Sequence, residues 1–185
     1  MNAILLYDRV WQKLKRTYRA AVFRAKTGCQ ANLVGDITLI NANLRLGKHV
    51  TIYPDVMFFG DGLIEIGDNV DIGNGTIIYA SRKGGVKIGA NTVIAAQCYI
   101  IDMDHGMKKG QLVCKQENTV APVVIGEDVW LGANVTVLKG TVIGAGAVIG
   151  AKALVKGKIE SNASDMGIPA HVVKYRLHEG REVPQ

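Results

Sequence analysis

Aliphatic residues recur at every sixth position over most of this chain, from Val34 to about Glu160. A period of six is neither the 3.6-residue turn of a helix nor the alternation of an isolated strand. It is typical of a coil of short strands and sharp turns, in which each aliphatic side chain points inward over the one below. Seventeen hexads predict these inward residues: Val34, Ile40, Leu46, Ile52, Phe58, Ile66, Ile72, Ile78, Ile88, Ile94, Ile100, Ile125, Leu131, Val137, Ile143, Ile149 and Val155.

Small residues follow the inward positions in a regular way. In nine hexads Gly comes directly after the aliphatic residue, as in Ile66-Gly67 and Ile88-Gly89. We expect Gly there because the backbone must turn every few residues. With three hexads per triangular coil, seventeen hexads predict between five and six coils.

The period of six is interrupted at three places. A stacked coil can accept extra residues only at a corner, where they project as a loop without disturbing the core. The longest interruption, an excursion at about 104–122, has the length of a functional loop. His105 stands at its base, beside Asp102 and Asp104. The extra residues number two between Phe58 and Ile66, four between Ile78 and Ile88, and nineteen between Ile100 and Ile125.

Residues 2–26 instead show the spacing of an amphipathic helix. Three roles are open for its apolar stripe: packing on its own domain or a neighbouring subunit, lying on an anionic membrane surface, or binding a partner protein. The stripe comprises Ile4, Tyr7, Trp11, Leu14, Tyr18, Ala21 and Ala25.

The charge of the chain is concentrated in this predicted helix. Residues 1–26 contain seven basic residues and one acidic residue, which accounts for the net charge of +6 over all 185 residues. The rest is balanced, so nucleic acid is not a predicted partner. The sequence has no run of 18 apolar residues to span a membrane, and its N-terminus lacks the apolar core of a signal peptide. Its three cysteines have no metal-type spacing and are expected to be reduced, as in a cytoplasmic protein.

One long stretch of the repeat is similar to a known family. The sequence IGEDVWLGANVTVLKGTVIGAGAVIGAKALV, followed by MGIPAHVVKYR, resembles the C-terminal half of hexapeptide-repeat acyltransferases such as the maltose, galactoside and capsular-polysaccharide O-acetyltransferases. The resemblance covers roughly residues 33–176. It implies a left-handed parallel β-helix that forms a homotrimer, with acyl-CoA sites between neighbouring subunits.

With this resemblance we expect an all-β protein in three parts. These are an N-terminal amphipathic helix (1–30), a left-handed parallel β-helix (31–160) with the excursion loop, and a C-terminal cap and tail (161–185). In the cap, a turn at Gly167-Ile168-Pro169 is expected to precede a short basic helix.

The resemblance also implies roles for individual residues. His105 matches the family's general base, and either Asp102 or Asp104 could hold its ring; strand alternation does not decide between them. Imidazole suits proton transfer near neutral pH. The CoA site is expected at Trp130, Gly132, Ala133, Gly150, Ala151, Lys156, Lys174 and Arg176, and the acceptor site at Tyr79, Ser81, Arg82 and Asn91.

The chain departs from the family pattern in one segment expected to contact CoA. The family often reads T-K-D-I-P where this chain has Lys156-Gly157-Lys158-Ile159-Glu160, so the individual phosphate contacts stay open. The other histidines, His49, His171 and His178, are expected on the surface.

The predicted activity is transfer of an acetyl group from acetyl-CoA to a sugar hydroxyl, without a metal, in surface-polysaccharide or nucleotide-sugar metabolism. N-acetylation of an amino sugar or antibiotic is the related alternative. A γ-type carbonic anhydrase would need three histidines converging on zinc, and His105 has no histidine near it in sequence. A non-catalytic scaffold is the third alternative. The basic helix favours a cytoplasmic protein that works near a membrane or an assembly complex.

Overall fold

The computed structural model of the protein describes residues 3–176; His178 and the rest of the tail lie outside the described residues. A helix, α1 (Ala3–Thr27), comes first and short strands follow. The strands are β1 (Asn32–Leu33), β2 (Thr38–Ile40), β3 (Asn43–Leu46), β4 (Thr51–Ile52), β5 (Met57–Phe59), β6 (Leu63–Ile66), β7 (Asp71–Ile72), β8 (Ile77–Tyr79), β9 (Val86–Ile88), β10 (Val93–Ile94) and β11 (Tyr99–Ile101). They continue with β12 (Met103–Asp104), β13 (Thr119–Val120), β14 (Val123–Ile125), β15 (Trp130–Leu131), β16 (Thr136–Val137), β17 (Val142–Ile143), β18 (Val148–Ile149), β19 (Leu154–Val155), β20 (Lys158–Ile159), β21 (Ala163–Gly167) and β22 (Ala170–Tyr175), with a 3-10 helix at Val113–Lys115.

The strands form the three faces of a β-solenoid. Face A contains β1, β4, β7, β10, β15, β18 and β21; face B contains β2, β5, β8, β11, β16 and β19; face C contains β3, β6, β9, β14, β17 and β20. Pairing within each face is parallel between successive coils. The solenoid has about seven turns, slightly more than the five to six that the hexad count predicts, because β20 and β21 add strands after the last predicted hexad.

The predicted inward residues fill the core, with two corrections at its beginning. From Ile52 to Val155 every predicted inward residue is buried. In the first coil Leu33 pairs with Ile52 and Leu39 pairs with Phe58, so these residues point inward. The predicted residues Val34 and Ile40 are instead exposed. Val34 and Ile40 continue the period of six to Leu46, whereas one extra residue separates Leu39 from Leu46, so the period favoured the wrong member of each pair.

The glycines after the inward residues are needed because successive coils stack closely, and not because the backbone turns there, as we expected. A Cβ on Gly126 would lie 2.7 Å from the backbone nitrogen of Ala145 in the next coil, and Gly67 and Gly89 are equally crowded. The left-handed backbone comes two residues later, at Asn91 (φ 60°) and Asp128 (φ 54°). Asn and Asp tolerate that conformation better than most residues.

All interruptions of the period fall at the same corner. We name the corners by the faces that they join in chain order: AB, BC and CA. The three predicted insertions all lie at corner BC, where a face B strand passes to a face C strand. The spacing from Leu39 to Leu46 adds a fourth insertion there, of one residue. Corner BC is therefore the one irregular edge of the described solenoid.

The C-terminal cap differs from the prediction. Residues after the turn form strand β22, which pairs antiparallel with β21, so the short helix expected there was wrong. The hairpin continues the hydrogen bonding of face A beyond its last parallel strand. It thereby covers an edge that would otherwise present unpaired backbone groups.

The helix α1 joins the solenoid through its C-terminal half. Phe23 is buried, and the guanidinium of Arg19 forms two hydrogen bonds with the Asp36 carboxylate, at 2.6 and 3.1 Å. The stripe residues Tyr7, Trp11, Leu14 and Tyr18 are exposed, so within the protomer they do not pack on the solenoid. Among residues 3–176 there is no helix with the length and apolar character needed to cross a bilayer.

Strand β17 offers a matched test of the core assignment. Ile143 is buried between Ile125 and Ile159, whereas its neighbour Val142 is exposed. Ile143→Ala should lower the free energy of unfolding by about 2–5 kcal/mol, because it leaves a cavity in the stack. Val142→Ala should change it by no more than about 0.5 kcal/mol. Urea titration followed by circular dichroism measures both, and equal losses would contradict the assignment.

Candidate functional site

Corner BC brings together most of the residues predicted for catalysis and acceptor binding. Tyr79 ends β8, and Ser81 and Arg82 lie in the insertion after it. Directly above, the excursion loop leaves β11 and begins with Asp102. Three successive insertions are therefore stacked along one edge, and side chains connect them.

A buried carboxylate joins the Ser81–Gly85 loop, which contains two of the predicted acceptor residues, to the excursion loop. Asp102 is 0% exposed. Its carboxylate accepts hydrogen bonds from the backbone N–H of Ser81 at 2.9 Å, the hydroxyl of Ser81 at 3.1 Å and the backbone N–H of Gly85 at 2.6 Å. Its backbone carbonyl accepts another from the N–H of Ala121. Asp102 thus fixes both ends of the Ser81–Gly85 loop.

Gly84 is required by this arrangement, and this role was not predicted from the sequence. A Cβ at position 84 would lie 2.2 Å from the Oδ2 atom of Asp102 and 2.6 Å from a methyl group of Val120. The Gly84-Gly85 pair inside an insertion was the signal available in the sequence. An adjacent pair of glycines indicates a close approach of other atoms as well as a turn.

His105 is exposed at the neck of the excursion loop. Its backbone is held on both sides: β12 pairs antiparallel with β13 just before it, and Gly106 packs against Gln116 and Glu117 just after it. The Gln116 side chain closes the loop, since its amide oxygen accepts from the N–H of Lys108 and its amide nitrogen donates to the carbonyls of Lys108 and Gln111. The loop is thus a built structure that presents His105 to solvent.

Neither predicted aspartate orients the His105 ring within the protomer. Asp102 is occupied by Ser81 and Gly85, as described above. The Oδ2 atom of Asp104 lies 3.6 Å from the Nζ of Lys139, which comes from the next turn of corner BC. In the described part of the chain, His105 forms no hydrogen bond or ion pair with either carboxylate.

Two acceptor candidates line the same corner below His105. The Tyr79 ring packs edge-on against Phe59, with centroids 4.9 Å apart. Burial, with smaller contributions from the charges of Asp102 and Asp61, raises the pKa of the Tyr79 hydroxyl, so this group remains a hydrogen-bond donor at neutral pH. Arg82 forms an ion pair with Asp61, with its Nε 3.0 Å from Oδ2.

Trp130 lies elsewhere, in an open groove of about 470 Å³ on face A and corner CA. Its side chain is 54% exposed and stands between Val93 and Val148 in the face A ladder. The groove also contains two other predicted site residues, Asn91 and Arg176. Its lining is Asn91, Val93, Asp128, Val129, Trp130, Val148 and Arg176.

The guanidinium of Arg176 is already engaged in this groove. Its Nη1 atom lies 2.9 Å from Oδ2 of Asp128 and donates to the carbonyl of Gly146 at 2.9 Å. Arg176 therefore ties the end of the cap hairpin to corner CA. A phosphate could reach it only in competition with Asp128.

The remaining CoA candidates are distributed over three other places. Gly132 and Ala133 lie at corner AB directly below Gly150 and Ala151, and a Cβ on Gly132 would lie 2.6 Å from the backbone nitrogen of Ala151. Lys156 is exposed at corner BC and Lys174 is exposed on β22. Within one protomer, the structure does not bring the CoA candidates together with His105.

The comparisons with known proteins agree with the repeat. The family model "Bacterial transferase hexapeptide (six repeats)" matches residues 122–157, and "Hexapeptide repeat of succinyl-transferase" matches residues 64–80. WcaF of Escherichia coli K12, provisionally named a colanic acid biosynthesis acetyltransferase, is 31% identical over 133 residues, which cover 72% of this chain and 70% of WcaF. The chain belongs to the hexapeptide-repeat acyltransferase family.

A second relative within the family is more similar in sequence but is covered less completely. WbbJ of Escherichia coli K12, provisionally named a lipopolysaccharide biosynthesis O-acetyltransferase, is 39% identical over 129 residues, and the match spans 65% of each chain. The crystal structure of AntD, an N-acyltransferase from Bacillus cereus in complex with dTDP and 3-hydroxybutyryl-CoA, has a TM-score of 0.66 at 20% identity and covers 80% of both chains. The likeness to AntD concerns the fold.

A metal centre needs several ligand side chains that converge on one point. Across residues 3–176, no three side chains of the His, Cys, Asp and Glu types converge as ion ligands would.

Asp102 and Asp104 provide a matched pair for testing the corner. Asp102→Asn would place an amide N–H₂ opposite N–H donors, and we expect a loss of about 1–3 kcal/mol in the free energy of unfolding. Asp104→Asn removes only a long, half-exposed ion pair, so its effect should stay below about 1 kcal/mol. Thermal and urea unfolding measure the two, and similar values would contradict the role given to Asp102.

Proposed function

We propose that the protein is an acetyl-CoA-dependent O-acetyltransferase that acetylates a sugar hydroxyl in bacterial surface-polysaccharide or nucleotide-sugar metabolism. The proposal rests on the position of His105. Its exposed imidazole is held at the neck of the excursion loop, and Asp102 ties that loop to the Ser81–Gly85 loop of corner BC. Family membership supports acyl transfer, and the name given to WbbJ supports an O-linked product in polysaccharide synthesis.

The chemistry requires a base and correct positioning, without a covalent enzyme intermediate. The His105 imidazole removes the proton from the acceptor hydroxyl as the oxygen attacks the thioester carbonyl carbon of acetyl-CoA. The C–O bond forms and gives a tetrahedral oxyanion. Its collapse breaks the C–S bond, and the imidazolium returns its proton to the departing CoA sulfur. Holding both reactants in place supplies a large part of the acceleration.

The acceptor corner offers groups suited to a sugar. The Tyr79 hydroxyl is a protonated donor, and the Arg82 side chain is exposed beside it on the same loop. Ser81 is bound to Asp102 through both its N–H and its hydroxyl, so we assign it to the support of the loop. Sugar recognition by Tyr79 and Arg82 would then rest on the rigidity that Asp102 provides.

A homotrimer would complete the site, because His105 lies at corner BC whereas all the CoA candidates except Lys156 lie elsewhere on the protomer. The outer surface of face B is the natural contact for a second copy, since it is the most apolar of the three faces. Its outward side chains pair in two ladders along the face. One ladder is Thr38, Met57, Ile77, Tyr99, Thr136 and Leu154, and the other is Ile40, Phe59, Tyr79 and Ile101, so all but two of these side chains are apolar or aromatic.

In this proposal CoA lies between two protomers. Corner BC of one subunit supplies His105, and a neighbour supplies the wall that contains Trp130 and the small residues of corner AB. The exposed indole of Trp130, between two valines, suits an apolar part of the cofactor. The three cysteines, with Cys98 buried and Cys114 exposed, fit the reducing cytoplasm, where we propose the protein works.

The base assignment is tested by His105→Ala. This variant should lower kcat by about 100-fold to 10,000-fold, because proton transfer loses its catalyst. CoA thiol release, measured while nucleotide sugars and oligosaccharides are screened as acceptors, gives the rate. His49→Asn is the control, since His49 is exposed at corner CA with φ 56°, which Asn also adopts. Near-normal activity of the His105 variant, with the fold intact by circular dichroism, would show that the base is another group.

The oligomer is tested by placing a charge on face B. Tyr99→Glu should convert the trimer to monomer, because a carboxylate buried in an apolar interface without a partner is strongly unfavourable. Lys87→Glu, on the exposed part of face C, should leave the trimer unchanged. Sedimentation velocity distinguishes the two species. A monomeric wild-type protein, or a trimer unaffected by Tyr99→Glu, would contradict the proposed interface.

A further inference from the structure

The first turns of α1 present aromatic and aliphatic side chains to solvent. Tyr7 is 70% exposed, Trp11 46%, Leu14 57% and Tyr18 72%. Their spacing of three and four residues places them on one face of the helix. We call these four residues the aromatic stripe. In the protomer nothing in the described residues covers it.

The solenoid cannot cover the aromatic stripe, because α1 docks through another face. Phe23, the buried anchor, follows Tyr18 by five positions and therefore lies about 140° around the helix from it. Ahead of Phe23, a groove of about 810 Å³ separates the helix from the first coil. Gln12, Arg16 and Ala20 line its helical side. These residues lie on the face opposite the stripe.

Basic side chains lie on the same helix as the aromatic stripe, with Lys15 beside it and the others on the remaining faces. Arg9, Lys13, Lys15 and Arg16 occupy the same turns of α1, and all four are exposed. Asp8 is the only acidic residue in the first 26, whereas the rest of the chain has equal numbers of basic and acidic residues. The Nζ of Lys15 lies 5.3 Å from the centre of the Trp11 ring, so charge and apolar surface are adjacent. The whole excess charge of the protein is located on the helix that carries the stripe, with Lys15 beside the stripe itself.

From this combination we propose that α1 docks the protein on an anionic phospholipid surface. The aromatic stripe enters the headgroup region, where Trp and Tyr are favoured, Lys15 beside it contacts lipid phosphates, and the other basic residues add longer-range attraction to the anionic surface. The docking of α1 through Phe23 leaves Tyr7, Trp11 and Leu14 away from the first coil. Tyr18 lines a small groove against that coil but is still 72% exposed, so a flat surface can reach the stripe. The proposal does not depend on acetyl transfer.

Charge favours a bilayer over a second copy as the occupant. Pairing two aromatic stripes would bring together two helices that each have six excess positive charges, and their repulsion would oppose the contact. An anionic surface satisfies the apolar stripe and the basic residues at once. The experiment must therefore distinguish a bilayer from a second copy and from an acidic partner protein as the occupant of the stripe.

The test is sedimentation of the full chain with phosphatidylglycerol–phosphatidylethanolamine vesicles, compared with phosphatidylcholine vesicles. We expect binding to the anionic vesicles that weakens as salt rises. Trp11→Ser combined with Tyr18→Ser should lower the partition coefficient by about tenfold or more, because the inserted rings are lost. Lys13→Glu and Lys15→Glu should each lower it by about fivefold or more. Lys87→Glu and Lys158→Glu, exposed on face C, are the charge-matched controls and should bind as the wild type does.

A spectroscopic measurement places the contact on the helix. The chain has two tryptophans, so in the Trp130→Phe protein the emission reports Trp11 alone. Anionic vesicles should shift this emission to shorter wavelength, as expected for an indole that leaves water.

Three results would overturn the proposal. The first is failure to bind anionic vesicles at low salt, and the second is equal loss of binding in the face C controls. The third is a smaller sedimentation coefficient for the stripe variant without lipid, because a second copy would then be what covers the stripe.

Discussion

The fixed spacing between coils is the constraint on which the rest of this structure depends. Strands of successive turns lie about 4.8 Å apart, and each inward side chain must rest on the one below. At the corners the backbones approach so closely that Gly67, Gly89 and Gly126 have no room for a Cβ. Any residue in excess of the period must therefore leave the stack, and in this chain every excess residue leaves at corner BC. The regularity of two corners concentrates irregular, chemically variable sequence on the third.

The insertions at corner BC are connected to one another as well as to the scaffold. Asp61 in the first insertion binds Arg82 in the second, and Asp102 at the start of the third binds Ser81 and Gly85 in the second. A buried carboxylate with three donors is costly to disturb, because each unpaired donor would lose its partner in a dry environment. The loops are thus held by polar contacts perpendicular to the coil stack, while the stack itself is held by apolar contacts. This division lets the side chains of corner BC vary without altering the core.

Periodicity predicted the fold well because burial repeats with the backbone. Every predicted inward residue from Ile52 to Val155 is buried, yet Leu33 and Leu39 point inward in place of the predicted Val34 and Ile40, because one extra residue before Leu46 shifts the phase of the period. The cap was mistaken for a helix because its pairing with β21 supplies hydrogen bonds that local sequence does not show. At the site, His105 was placed by the break in the pattern. The partners of Asp102 could not be predicted, because they are 17 and 21 residues away in sequence and meet only through coil stacking.

Stacking constrains the residue types of the core but not those of the outward surfaces, so the outward surfaces differ from the core and from one another. Face B has ladders of apolar side chains, face C alternates charges such as Arg45, Glu65 and Lys87, and α1 holds the excess positive charge. An apolar face, a mixed face and a basic helix call for three different environments: another protein surface, water and an anionic surface. A trimer formed through face B would bury the first and leave the others accessible. It would also repeat the helix three times, so that weak docking of each copy becomes stronger by avidity.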